Sequence, residues 1–116
     1  MSIADSLAAD ILRREFTQAG VWLAIHDGGG PEDGITELPV GRVRVVFAEP
    51  AGRECSLRER AVWDPMPECT VTHWSAWTAP AGGSIKWTGM FDEPTKVRAG
   101  EGFRTSEERP LTVVFE

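Results

Sequence analysis

A chain of 116 residues, 41% hydrophobic and 26% charged, has the size and composition of one soluble globular domain. It is long enough to bury a single core without a metal or a disulfide as a staple. A net charge of −6 with scattered basic residues excludes nucleic acid as a partner, because phosphate binding needs clustered Lys and Arg.

Residues 2–16 read as a helix. Ser2-x-x-Asp5 is a variant of the capping box, and Ile3, Leu7, Ala8, Ile11, Leu12 and Phe16 recur along one face. Asp5, Asp10, Arg13 and Arg14 fall mostly on the other. A helix this short is marginal alone, so its apolar face must pack on its own sheet or on a neighbouring subunit. Gly20 ends it and is the one candidate hinge. The chain is therefore expected to divide into a helical docking element, residues 1–19, and a β domain, residues 20–116.

Beyond Gly20 the hydrophobic period changes to two. In a strand over 21–26, Val21, Leu23 and Ile25 share one face, while Trp22, Ala24 and His26 share the other. Residues 27–33, DGGGPED, read as a loop. Further strands are expected at 42–47, 60–63, 70–77, 84–90 and 111–115, with shorter pieces at 35–38 and 97–103. In the last strand Leu111, Val113 and Phe115 face inward. The turn signals GGGP, EPAG, DPMP, PAGG and RAGEG are spaced as in an all-β sandwich or barrel, and no strand–helix–strand alternation is present. The expected fold is mainly β: a short N-terminal helix followed by an antiparallel β-sandwich, jelly-roll-like.

No run approaches the roughly 20 apolar residues of a membrane span, so no membrane partner is expected. The first residues lack the basic and apolar regions of a signal peptide. A protein made in a cytoplasm would keep Cys55 and Cys69 as free thiols, although they lie on segments that can pair.

Residue types that carry chemistry are present without the spacing that chemistry needs. Gly28-Gly29-Gly30 follows a strand, but the spacing is not that of a phosphate loop, and Pro31-Glu32-Asp33 puts negative charge where phosphate would sit. His26 and His73, even with Asp27, Asp64 or Cys69, show neither the HxH nor the CxxC spacing of metal sites in small β folds. Cys69 and His73 lie on one side of a strand but about 13 Å apart along it, too far for a nucleophile and its base. Asp92-Glu93 and Glu107-Glu108 are adjacent in turn-rich segments and do not make facing carboxylates across a cleft. No catalytic, metal or cofactor residues are expected.

The five tryptophans are the stronger signal. Three fall within residues 70–90, two apolar runs around a Pro-Ala-Gly-Gly break that read as a β-hairpin. Trp74 and Trp77 have opposite parity, so one faces the core and the other an outer surface, an interface or a ligand. Trp22 lies on the second face of its strand. Tryptophan is enriched at interfaces, and a row of outward rings also suits a sugar platform.

One pattern runs through the C-terminal half: Thr70-Val71-Thr72-His73-Trp74, then Trp77, Gly82-Gly83, Ile85, Trp87 and Gly89, then Pro94, Val97, Ala99-Gly100 and Leu111-Thr112-Val113. It resembles the ending of a family of small tailed-phage virion proteins commonly labelled phage tail fibre proteins. Residues 62–67 resemble the strand and proline turn ahead of that ending. The helix, the 21–25 strand, the glycine loop and Thr36-Glu37-Leu38-Pro39-Val40 resemble its N-terminal half more loosely. The chain departs from the pattern at Glu101, at Glu108-Arg109-Pro110 and at Ser75, which leaves shared binding specificity in doubt. The resemblance implies a non-enzymatic virion structural protein, without catalytic residues or cofactors, made in the host cytoplasm and carried in many copies. It would sit outside the particle, as capsid decoration or tail-fibre component. The chain has no heptads, collagen repeat or long β-helix from which to build a fibre itself. On this reading Ile3, Leu7, Ile11, Leu12, Trp22, Trp74 and Trp77 are the candidate contacts to coat or tail proteins or to further copies. The alternative is a carbohydrate-binding module for host surface glycans, which requires a coplanar pair of exposed tryptophans.

Overall fold

The computed structural model describes residues 4–28, 36–108 and 110–115. Helix α1 spans Asp5–Leu12 and continues into a π-helical turn at Arg13–Thr17. Its N-cap is Ala4, which offers no side-chain cap. Ser2 and Ile3 lie outside the described residues. Asp5, expected to complete the capping box, instead accepts a hydrogen bond from Arg53 Nη1 at 3.0 Å. At the other end the Gln18 amide donates to the Arg13 carbonyl at 2.8 Å, five residues back, which defines the π turn. Lys86 Nζ reaches the Glu15 carbonyl at 2.6 Å, so a strand residue satisfies one of the orphan acceptors at the helix end.

Among the described residues eight strands follow: β1 Val21–His26, β2 Val43–Val45, β3 Glu54–Ser56, β4 Val62–Trp63, β5 Cys69–Trp77, β6 Ile85–Val97, β7 Phe103–Arg104 and β8 Thr112–Val114. All pairings are antiparallel. They form three separate sheets: one four-stranded, in the order β2-β1-β5-β6, and two two-stranded, β3-β8 and β4-β7. The chain is thus mainly β with a short N-terminal helix, as expected. The helix begins later, and the expected strand at 42–47 shortens to three residues with an isolated bridge from Phe47 to Leu57. Strand β3, Glu-Cys-Ser, escapes sequence reading because it is short and carries no apolar alternation.

The central hairpin β5–β6 turns through Gly82 and Gly83, whose φ angles of +64° and +75° suit glycine. The Thr78 amide donates to the Ser84 carbonyl across it. The inner face of the large sheet carries Val21, Leu23 and Ile25 from β1 and Val71, Trp74 and Ala76 from β5. Opposite them the core collects Cys55 and Val113 from the β3-β8 pair, Trp63 and Phe103 from the β4-β7 pair, and Leu12 and Phe16 from the helical segment. Phe16 packs edge-on against Phe47 and Trp87 at ring separations of 5.1 and 6.0 Å. Gly89 lies directly under the Trp74 indole, and a Cβ there would run into that ring.

Candidate functional site

The pairing of β1 with β5 sets Trp22 opposite Trp77, Ala24 opposite Ser75 and His26 opposite His73. These residues share the outer face of the large sheet. That face is not open. Ala24, His26 and Ser75 there are fully buried, and residues 36–38 run alongside β1 at the sheet edge: Glu37 bridges to His26, Leu38 N donates to Ile25 O at 2.9 Å, and Asp27 N to Thr36 O at 3.1 Å. Arg42 then reaches over the outer face. Its guanidinium makes a two-point ion pair with Glu37 at 3.1 and 3.2 Å and lies 4.1 Å from the Trp77 ring centre. It also donates to the carbonyls of Ala79 and Gly82 at 3.0 and 2.8 Å, holding the hairpin turn. Arg44 stands 5.9 Å from the Trp22 ring.

On this face lies a buried polar chain that the sequence did not reveal. Trp77 Nε1 donates to Ser75 Oγ at 2.6 Å, Ser75 Oγ lies 2.6 Å from His26 Nε2, and His26 Nδ1 lies 3.2 Å from Thr36 Oγ1. Ser75 and His26 are both fully buried. Burial pushes the His26 pKa below its ordinary value; Glu37 opposes that shift, while His73 and Arg42 reinforce it. With His26 neutral, Ser75 donates to Nε2 and Nδ1 donates to Thr36, so both ring nitrogens are satisfied. The Ser–His distance is that of a nucleophile and its base. Here, however, the orienting partner is a threonine hydroxyl, and both groups are sealed from solvent. These hydrogen bonds tie β1, β5 and Thr36 together. The parity of His26 with Trp22 and of Ser75 with Trp77 was the available signal; the diagonal contact depends on a register that sequence does not print.

The sequence-expected contact residues divide. Leu12 is 0% exposed and belongs to the core, as does Trp74. Trp77, 8% exposed, is the outer-face tryptophan, but Arg42 covers it. Trp22 is half-buried on the same face. Leu7 is 49% exposed, and half-buried Ile11 lines an apolar cleft of about 320 Å³ with Phe16, Ile85 and Trp87. Ile3 lies outside the described residues. The helix therefore buries Ala8, Leu12 and Phe16 on its own body and leaves only the Leu7–Ile11 flank towards the outside. The difference from the expected single face follows from helix geometry, since an apolar stripe this wide cannot all face one neighbour.

No family model matches the chain, and it matches no curated protein. The remaining candidate chemistry stays apart. Burial, with Asp27 adding to it, pushes the Cys69 thiol up, and His73 Nδ1 is engaged by Thr72 Oγ1 at 2.8 Å. Burial likewise raises Cys55, which hydrogen-bonds the Ala48 carbonyl; both cysteines are free. Among the described residues no three His, Cys, Asp or Glu side chains converge on a metal position. Gly28 N donates to Thr72 Oγ1 at 2.7 Å, which anchors the start of the glycine loop; Gly29 and Gly30 lie outside the described residues. Glu107 pairs with Arg60 at 3.3 Å, while Asp92 and Glu93 border a cleft of about 270 Å³ floored by Phe91, Phe103 and Leu111.

Proposed function

We propose that this chain is an accessory structural protein on the outside of a tailed-bacteriophage particle, acting by protein–protein association and not by turnover. The observation that carries this reading is the division of its apolar surface. The tryptophans that would serve a ligand are packed inside or capped by arginine, while the helix turns Leu7 and the Ile11 cleft outward. Partner chains, either coat or tail proteins or further copies, would seat there. The residues of the phage-like pattern support the same view: His73, Trp74, Trp87 and Gly89 build the central hairpin, so the pattern marks a fold and not a reactive site. The β body is read as a jelly-roll-like sandwich, with the β3-β8 and β4-β7 pairs as the second layer across the core. The glycan alternative gains nothing from the geometry, because Trp22 and Trp77 do not form an exposed coplanar pair.

The test is incorporation. A Leu7→Glu/Ile11→Glu chain should fold with wild-type tryptophan fluorescence yet be lost from particles assembled around it. Incorporation equal to the wild type would refute the docking role of the helix. The ratio of this chain to the major coat protein separates capsid decoration, at coat-like abundance, from a tail component at a small fraction of it.

A further inference from the structure

Cross-strand pairing sets a row of side chains on the outer face of the large sheet: His26 on β1 opposite His73 on β5, and His73 opposite Met90 on β6. The two histidines differ in what their ring nitrogens do. His26 is fully buried, and both of its nitrogens are engaged by hydroxyls, those of Ser75 and Thr36. His73 is half-buried, and Nδ1 alone is engaged, at 2.8 Å from Thr72 Oγ1. Among the described residues its Nε2 has no hydrogen-bond partner.

The surroundings of Thr72 Oγ1 fix the tautomer of the His73 ring. The hydroxyl donates its single hydrogen to the His26 carbonyl at 3.3 Å and accepts from the Gly28 amide at 2.7 Å. Towards His73 it can then only accept, so Nδ1 carries the ring proton and Nε2 keeps its lone pair. An imidazole held by a fixed acceptor at one nitrogen, with a lone pair left on the other, is the form in which histidine binds metal ions. Directly opposite stands a thioether: Met90 is the most exposed large hydrophobic among the described residues, at 72%. Cβ atoms of directly opposed residues lie about 4.5–5.5 Å apart. Nitrogen and sulfur can therefore close on one ion through two bonds of roughly 2 Å each.

We propose that His73 Nε2 and Met90 Sδ form a binding site for a soft monovalent cation, copper(I) being the biological one. The donor set selects the ion. A thioether favours copper(I), whereas harder divalent ions take carboxylate, carbonyl or water oxygen. A filled d shell lets such an ion rest on two ligands. It has no need of three converging His, Cys, Asp or Glu side chains, which the described residues do not supply. His26 shares the row but not the site, because the Nε2 lone pair of the neutral ring already accepts from Ser75. A net charge of −6 adds a general attraction for any cation.

The site does not rest on the particle reading, and its test uses the isolated chain, so the two can fail separately. Silver(I) is the probe, because it copies the coordination of copper(I) without its redox chemistry. The parent chain is Cys69→Ser, which removes the half-buried thiol that competes for soft ions; Cys55 is sealed in the core. One equivalent of silver should move the Met90 methyl and the His73 ring signals together in NMR spectra. Met90→Leu, a change at an exposed position, should weaken binding by about tenfold or more, as should His73→Gln. Zinc(II), offered in place of silver, should also bind about tenfold or more weakly. A parent that takes up no silver, or takes it up with the Met90 and His73 signals unmoved, would overturn the proposal. So would a Met90→Leu chain that binds silver as tightly as the parent, or zinc held as tightly as silver.

Discussion

Arg42 shows how one side chain can fix a surface. It joins the segment paired with the β1 edge through Glu37, the sheet through Trp77 and the hairpin turn through Ala79 and Gly82, with 8% of its side chain exposed. Arg42→Ala should therefore cost about 3 kcal/mol in chemical denaturation, because it strands a largely buried carboxylate. Arg42→Lys should recover only part of that, since an ammonium cannot make the planar two-point pair. His26 gives the fold an acid-sensitive point. Its folded pKa lies below the ordinary 6.5, so the unfolded chain binds the proton more readily. Its contribution is complete above 6.5 and is lost as pH falls from there towards the folded value. Glu15, held below 4.5 chiefly by Lys86, loses its contribution only at lower pH. Urea midpoints should fall between pH 7.5 and 5.5 in the wild type and fall much less in His26→Gln. At this scale the sequence was half legible: parity correctly put Trp74 and Trp77 on opposite faces. It did not reveal that Trp77 on the second face is covered, because the covering guanidinium belongs to Arg42, far away in the chain.

The elements were read with uneven success, for physical reasons. The strand at 21–26 and the hairpin within 70–90 stood out because alternation is long and the Pro-Ala-Gly-Gly break is strong. The β6 extension beyond residue 90 was hidden by Asp92-Glu93-Pro94, which reads as a turn but is a bulge within the strand. The helix start was misplaced because Asp5 pairs with Arg53 across the fold and does not cap. Two substitutions test the packing of these elements. Gly89→Ala forces a methyl into the Trp74 indole, and should cost about 1–3 kcal/mol through displacement of that ring or of β6. Phe16→Ala opens a void between Phe47 and Trp87, and should cost about 3–5 kcal/mol. Leu7→Ala, on the same helix but on its outer flank, should change stability by less than about 0.5 kcal/mol. Equal losses for Phe16→Ala and Leu7→Ala would contradict the assignment of inner and outer helix faces.

For the whole molecule, the large sheet packs its inner face on the helix and the small sheets, while on its outer face Arg42 lies over Trp77. On the helix, Leu7 and half-buried Ile11 face outward. On the proposed reading, this outward helix flank would be the surface offered to neighbours. The phage-like pattern supplies the expectation of which neighbours; the open flank supplies the means of reaching them. The decisive measurement is quantitative mass spectrometry of tailed-phage particles purified from a lysate whose phage genome encodes this chain. The account predicts the chain in those particles at a fixed ratio to the major coat protein, retained through density-gradient purification. Its absence from purified particles, with the free protein left in the lysate, would contradict the account.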